Sequence, residues 1–123
     1  MNHSILSIII AAPFVWGACA SMPPPTQRMA DAESAQRSAR EVGANNEPSA
    51  QLSLKLADEQ IAQAQAAMKD GDNARADSLL IRAKADAELA IAKAREKNAR
   101  VAGKEAVSDS AEQKSKNAGQ GAM

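Results

Sequence analysis

Residues 54–94, LKLADEQIAQAQAAMKDGDNARADSLLIRAKADAELAIAKA, decide the fold. Leu54, Ala57, Ile61, Ala64 and Met68 recur at spacings of 3, 4, 3 and 4, which lays them along one stripe of an α-helix in the manner of a coiled-coil seam. After the turn, Ala76, Leu80, Ala83, Ala87, Ala90 and Ala94 recur at 4, 3, 4, 3 and 4, a second seam of the same kind. Between them, Asp70-Gly71-Asp72-Asn73 stops one helix and starts the next. Gly71 suits the left-handed position after a helix end, and Asp72 or Asn73 can cap the helix that follows. So short a connection makes the two helices an antiparallel hairpin. Alanine on facing seams lets the backbones approach closely, with Leu, Ile and Met as intermittent anchors.

Outward from this hairpin, the second helix is predicted over Ser49 to Lys69 and the third from Ala74 to about Lys104. At about 1.5 Å per residue they span roughly 31 Å and 46 Å, so the third overhangs the second. A first helix is predicted over Arg28 to Val42, with Met29, Ala32, Ala35, Ala39 and Val42 on one face. Gly43 ends it, and Pro48 marks the next start, where its missing N–H costs little. The first helix is expected near the open end of the hairpin, in a register the sequence does not fix. No stretch after the first 27 residues alternates with the two-residue period of a strand. The fold class is all-α: an antiparallel, coiled-coil-like hairpin with a shorter N-terminal helix. From Ser108 to Met123 the chain is mostly Ser, Gly, Gln, Lys and Ala without period, which reads as a disordered tail. The expected organisation is 1–18 address segment, 19–27 tether, 28–105 three-helix domain and 106–123 tail.

Composition narrows the function further. The chain has 123 residues, with 15 Lys+Arg balanced by 15 Asp+Glu, so no general electrostatic case exists for nucleic acid. Phe14 and Trp16, the only aromatics, both lie in the front segment, leaving none behind it for stacking on bases or sugars. One cysteine excludes an internal disulfide and a multi-cysteine zinc site. The single histidine is His3, which removes the commonest general base and metal ligand from the helical part. Asp58-Glu59 and Asp70/Asp72 are the local acidic groupings. The first pair diverges by about 100° around a helix, and the second has no further ligands at calcium-loop spacing. No serine has a histidine partner or a nucleophile-elbow context. The expectation is no enzyme, no cofactor and no metal.

The front of the chain reads as an address. Ser4 to Ala20, SILSIIIAAPFVWGACA, is an apolar run whose core from Ile5 to Trp16 has signal-peptide length. It closes on the small residues Gly17-Ala18-Cys19-Ala20. This closing stretch resembles a bacterial lipoprotein lipobox, with Ala18 and Gly17 at the positions before Cys19 and Trp16 where leucine is usual. The resemblance implies cleavage before Cys19 and an acyl anchor (diacylglycerol and palmitate) on its thiol. Ala18-Cys19-Ala20 also satisfies the small-residue rule for ordinary signal peptidase, which would leave Ser21 as a free terminus. An uncleaved anchor is a third reading, against which stand Pro13 and a run short of a span's roughly 20 apolar residues. Ser21 to Gln27, SMPPPTQ, reads as an extended tether. Ala20 lacks the aspartate that retains model lipoproteins at the inner membrane, so the implied location is the outer membrane, facing the periplasm.

From Met29 to Arg100 the chain resembles the bacterial family called domain of unknown function 4398. The resemblance is carried by Ala39-Arg40-Glu41-Val42-Gly43-Ala44, Pro48, Leu56-Ala57, Ala64-Gln65-Ala66, Gly71-Asp72, Ala76, Ala83 and Ala87-Glu88-Leu89-Ala90. It implies a small Ala-rich helical envelope domain, often behind a lipoprotein signal, with no catalytic residues to transfer. Some members join an OmpA-like domain that binds peptidoglycan; no such domain is in this sequence, and that binding is not carried over. The hairpin also resembles half of a tetratricopeptide repeat at Ala64, Gly71, Ala76, Leu80 and Ala83, but no second unit follows, and such solenoids need about three.

One surface feature invites a functional reading. Lys93, Lys97, Arg100 and Lys104 follow at 4, 3 and 4, a basic stripe near the end of the third helix. It suits an anionic surface such as lipid headgroups or a cell-wall polymer, or else a solvated face complementing the helix C-terminus. The overhanging seam around Ala94 and Val101 is expected to meet another envelope protein or a second copy through helix packing. The sequence thus reads as a structural or adaptor lipoprotein anchored through Cys19. The alternative is a soluble periplasmic, tetratricopeptide-like binding module released after Ala20.

Overall fold

The structure, a computed structural model, describes residues 22–120; Cys19 and the apolar run before it lie outside these residues. Three helices follow in order: α1 (Thr26–Glu41), α2 (Pro48–Lys69) and α3 (Asn73–Gln120), with a 3-10 turn at Ala44–Asn46 between the first two. There is no strand among the described residues. The all-α hairpin read from the seams is what the structure contains.

The turn between α2 and α3 is closed by backbone geometry. Gly71 takes φ +78°, its N–H donates to the Met68 carbonyl at 3.2 Å, and the Asp72 N–H donates to the Ala67 carbonyl at 2.9 Å. These two bonds make a Schellman motif that satisfies the last carbonyls of α2. The Asp72 carboxylate then accepts from the Arg75 N–H at 3.1 Å, capping α3. A Cβ added at Gly71 would meet nothing within 4 Å, so the demand for glycine comes from the left-handed backbone alone. Gly71→Ala is therefore expected to destabilise the domain by about 1 kcal/mol, read as a lowered midpoint in urea with an unchanged slope. At the other connection Glu47 precedes Pro48, the first residue of α2, and its carboxylate accepts from the Ala50 N–H.

All six residues of the α3 seam, Ala76 to Ala94, are buried, as are Leu54, Ala57, Ile61 and Ala64 of α2. Met68 is half-buried. Twelve of the sixteen buried hydrophobic residues among those described are alanines; Leu54, Ile61, Leu79 and Leu80 are the large ones. The core divides into two groups along the bundle. Near the turn, Ala32, Ile61, Ala64, Ala67, Ala76, Leu79, Leu80 and Ala83 pack together, flanked by Met29 and Met68. At the open end, Ala39, Ala44, Ala50, Leu54, Ala90 and Ala94 do so, flanked by Val42 and Ile91. With so few large side chains, the domain should sit toward the lower end of small-domain stability.

Three expectations are corrected. The first helix does not sit only at the open end; α1 runs the length of the hairpin, parallel to α3. Arg28 near its start pairs with Asp77 beside the turn, and the Val42 carbonyl just past its end accepts from Asn98 Nδ2 at 3.2 Å. Its apolar face divides between both core groups, which is why it lies along the whole groove. The second correction concerns the tail. Residues 108–120 continue α3 as helix, every side chain described there being exposed. Extending an existing helix needs no new nucleus, and Ala, Glu, Gln and Lys are good helix formers, so the helix propagates without packing partners. Thr26 and Gln27, expected in the tether, are already the first residues of α1, and Pro25 is buried.

Candidate functional site

The basic stripe starts where the open end of the hairpin closes over α2. Lys93 is half-buried, and its ammonium donates to the Ser49 carbonyl at 3.1 Å and to Ser53 Oγ at 3.0 Å. Ser53 is itself 3% exposed, the only buried polar residue among those described. The seam places Lys93 on the side of α3 facing α2, so its long stem crosses the interface and its head meets the first turn of α2. Lys93 thus holds α2 and α3 together instead of pointing to solvent.

Lys97, Arg100 and Lys104 lie on the same side of α3, further along, and all three are exposed. Arg100 forms an ion pair with Glu96 one turn back, with both side chains well exposed, a contact worth little in water. Glu47, Ser49, Lys93, Glu96, Lys97 and Arg100 surround an open depression of about 240 Å³ at the mouth of the hairpin. The Glu47 carboxylate accepts from Ser49 Oγ and from the Ala50 N–H, both at 2.6 Å. These two bonds, with a smaller contribution from the charge of Lys97, hold Glu47 below the ordinary glutamate range. A carboxyl with a depressed folded pKa contributes stability above its unfolded value and loses it as pH falls through the folded one. Thermal melts should therefore show stability declining below about pH 4.3, the ordinary glutamate value. Glu47→Gln should lower stability at pH 7 and remove part of that acid dependence.

The acidic groupings are absorbed by the framework. Asp58 accepts from Arg40 Nη2 at 2.7 Å and from Gln36 Nε2, joining α1 to α2. Glu59 pairs with Lys55 on its own helix at 3.8 Å, and Asp70 and Asp72 close the turn. Among the described residues, no three His, Cys, Asp or Glu side chains are grouped so as to hold a metal ion. Gln60 donates to Asp86 at 2.7 Å across the α2–α3 interface. Asn73 donates to the Met22 carbonyl at 2.6 Å, which fastens the end of the tether beside the turn. These cross-helix ties escaped sequence reasoning because each depends on the register between helices, and the residues involved look like ordinary surface polars. Among the described residues, no helix is long and apolar enough to cross a membrane.

Among known proteins, the family described as Domain of unknown function (DUF4398) matches residues 27–106. No curated protein and no solved structure matches the chain.

Proposed function

The chain belongs to the DUF4398 family, and from that premise we propose that it is a small lipid-anchored protein of the bacterial outer membrane, with a structural or adaptor role and no catalysis of its own. The observation that carries the proposal is the position of Cys19. It is the only cysteine in the chain and follows directly on the apolar run, preceded by Gly17-Ala18. Three positions further on, the Met22 carbonyl is already bonded to Asn73 beside the hairpin turn. Acylation of Cys19 would join bilayer to helical domain through a connection too short to leave the domain far from the surface. Support for an adaptor role comes from α3, whose exposed extension presents helix beyond the domain's own core.

Extraction of cells with a detergent that separates into two phases tests the proposal. The mature protein is expected in the detergent phase, and alkaline washing of membranes should not release it. Recovery in the aqueous phase would overturn the anchor and favour the soluble periplasmic module that begins at Ser21. The assignment to the outer membrane rests on Ala20 in place of a retention aspartate. Sedimentation of the two membranes through sucrose checks it: the protein should travel with the denser fraction.

A further inference from the structure

The two ends of the hairpin differ in charge and in their distance from the tether. The chain enters beside the turn: Met22 is bonded to Asn73 at the start of α3, and Arg28 to Asp77 one turn on. Only two residues, Ala20 and Ser21, separate Met22 from Cys19, three Cα–Cα steps with a reach of at most about 11 Å. Lys97 and Lys104 lie 24 and 31 residues along α3 from Asn73, about 36 and 46 Å away along the helix axis.

Charge is divided in the same sense. At the turn, Lys69, Arg75 and Arg28 stand against Asp70, Asp72 and Asp77, an even balance. At the other end, Lys93, Arg95, Lys97, Arg100 and Lys104 of α3 stand against Glu96, Glu105 and the neighbouring Glu47, an excess of two cations. A protein that used cations to grip its own bilayer would carry them at the tethered end, because attraction to headgroups fades within a Debye length, about 8 Å at physiological salt. Here they are at the opposite end. Lys93 is engaged with α2 and Glu47 is held by Ser49 and Ala50. Lys97 and Lys104 have no ion pair among the described residues, and Arg100 has only its exposed partner on the same helix. These three lie within about 60° of one another around α3 and rise in steps of about 4.5 and 6 Å, a row suited to spaced carboxylates.

Resting on the tethering through Cys19 proposed above, we propose that the domain stands on its hairpin turn, and that Lys97, Arg100 and Lys104 form a contact face for a carboxylate-bearing polymer of the cell wall, beyond the reach of the anchoring bilayer. The exposed extension of α3 then projects away from the membrane and holds this face toward the wall.

The acylated full-length protein, purified in detergent, is tested against isolated peptidoglycan sacculi stripped of protein. The wild type should co-sediment with sacculi at low ionic strength. The combined variant Lys97→Gln, Arg100→Gln, Lys104→Gln should bind at least about tenfold less. Lys69→Gln with Arg75→Gln, at the turn, should bind like the wild type. Because these side chains are exposed, circular dichroism should be unchanged in both variants. Orientation is read separately in vesicles containing anionic lipid and headgroup-labelled quencher, with a fluorophore on Ala74→Cys or Ala102→Cys, the acylated Cys19 thiol being unreactive. Position 74 should be quenched and position 102 should not. Equal sacculus binding by the triple variant, no binding by the wild type, or quenching at 102 as strong as at 74 would each overturn the inference; the last would mean a domain lying flat on headgroups. An intact mass lacking lipid would instead overturn the tethering, while the sacculus arm would still report on the cationic face.

Discussion

Leu80→Ala is expected to lower the melting temperature by roughly 12–24 °C. Leu80 is 1% exposed and is the largest side chain buried so completely among the described residues. It packs against Ile61, Ala64 and Ala76, near the turn. Truncating a buried leucine costs about 3 kcal/mol, through lost transfer energy plus the cavity left behind. In a domain of this size each kcal/mol shifts the midpoint by about 4–8 °C. The cavity should persist, because the neighbouring seam positions are already alanine and the two backbones have little room to close further. Leu89→Ala supplies the contrast: Leu89 is 45% exposed, and its loss should move the midpoint by only a few degrees on the same scale. Thermal unfolding followed by circular dichroism makes the comparison. Equal shifts for the two variants would contradict the packing of the hairpin around Leu80.

The largest expected effect on behaviour belongs to Cys19→Ser, which should move the protein from the detergent phase to the aqueous phase almost completely. Each buried methylene of an acyl chain contributes about 0.8 kcal/mol to membrane binding, and two chains anchor stably where one is marginal. A serine hydroxyl cannot accept the thioether-linked diacylglycerol. Nothing in the described domain replaces the anchor: no helix there is long and apolar enough to span, and the turn end that faces the tether has balanced charge. The helical content should be unchanged, since the substitution lies ahead of α1. A Cys19→Ser protein that still partitioned into detergent would show that something other than acylation holds it.

The hairpin was legible because its signal is local. Ala76 through Ala94 fall on one stripe by spacing alone, and Gly71 between two aspartates announces the turn from composition; all seam residues of α3 are buried as the spacing requires. Alanine seams say less about what lies across from them. A small side chain packs against many neighbours equally well, so Ala32 and Ala39 mark the buried face of α1 without fixing its place along the hairpin. That place follows from how its apolar face divides between the two core groups, and the polar contacts that accompany it, Arg28–Asp77, Arg40–Asp58 and Asn98 with the Val42 carbonyl, are not displayed by a linear sequence.

The helix over the tail has a related physical reason. Residues 108–120 lack an apolar period, which argues against packing, yet helix continuing from a formed turn needs only favourable propensity. Within the basic stripe, spacing places four cations on one side of α3. Only the overhang separates them into two roles. Lys93 lies level with the first turn of α2 and bonds to it, whereas Lys97, Arg100 and Lys104 lie toward and past the end of α2 and remain exposed. The sequence contained the lengths needed to foresee this, but not the register that sets which lysine meets Ser49 and Ser53.

The measurement closest to the central claim is the intact mass of the protein purified from the membrane fraction. The account requires a chain that begins at Cys19 and carries a diacylglycerol on its thiol. A chain that begins at Ser21 with no added mass would contradict it, leaving the three-helix domain intact but free of the membrane.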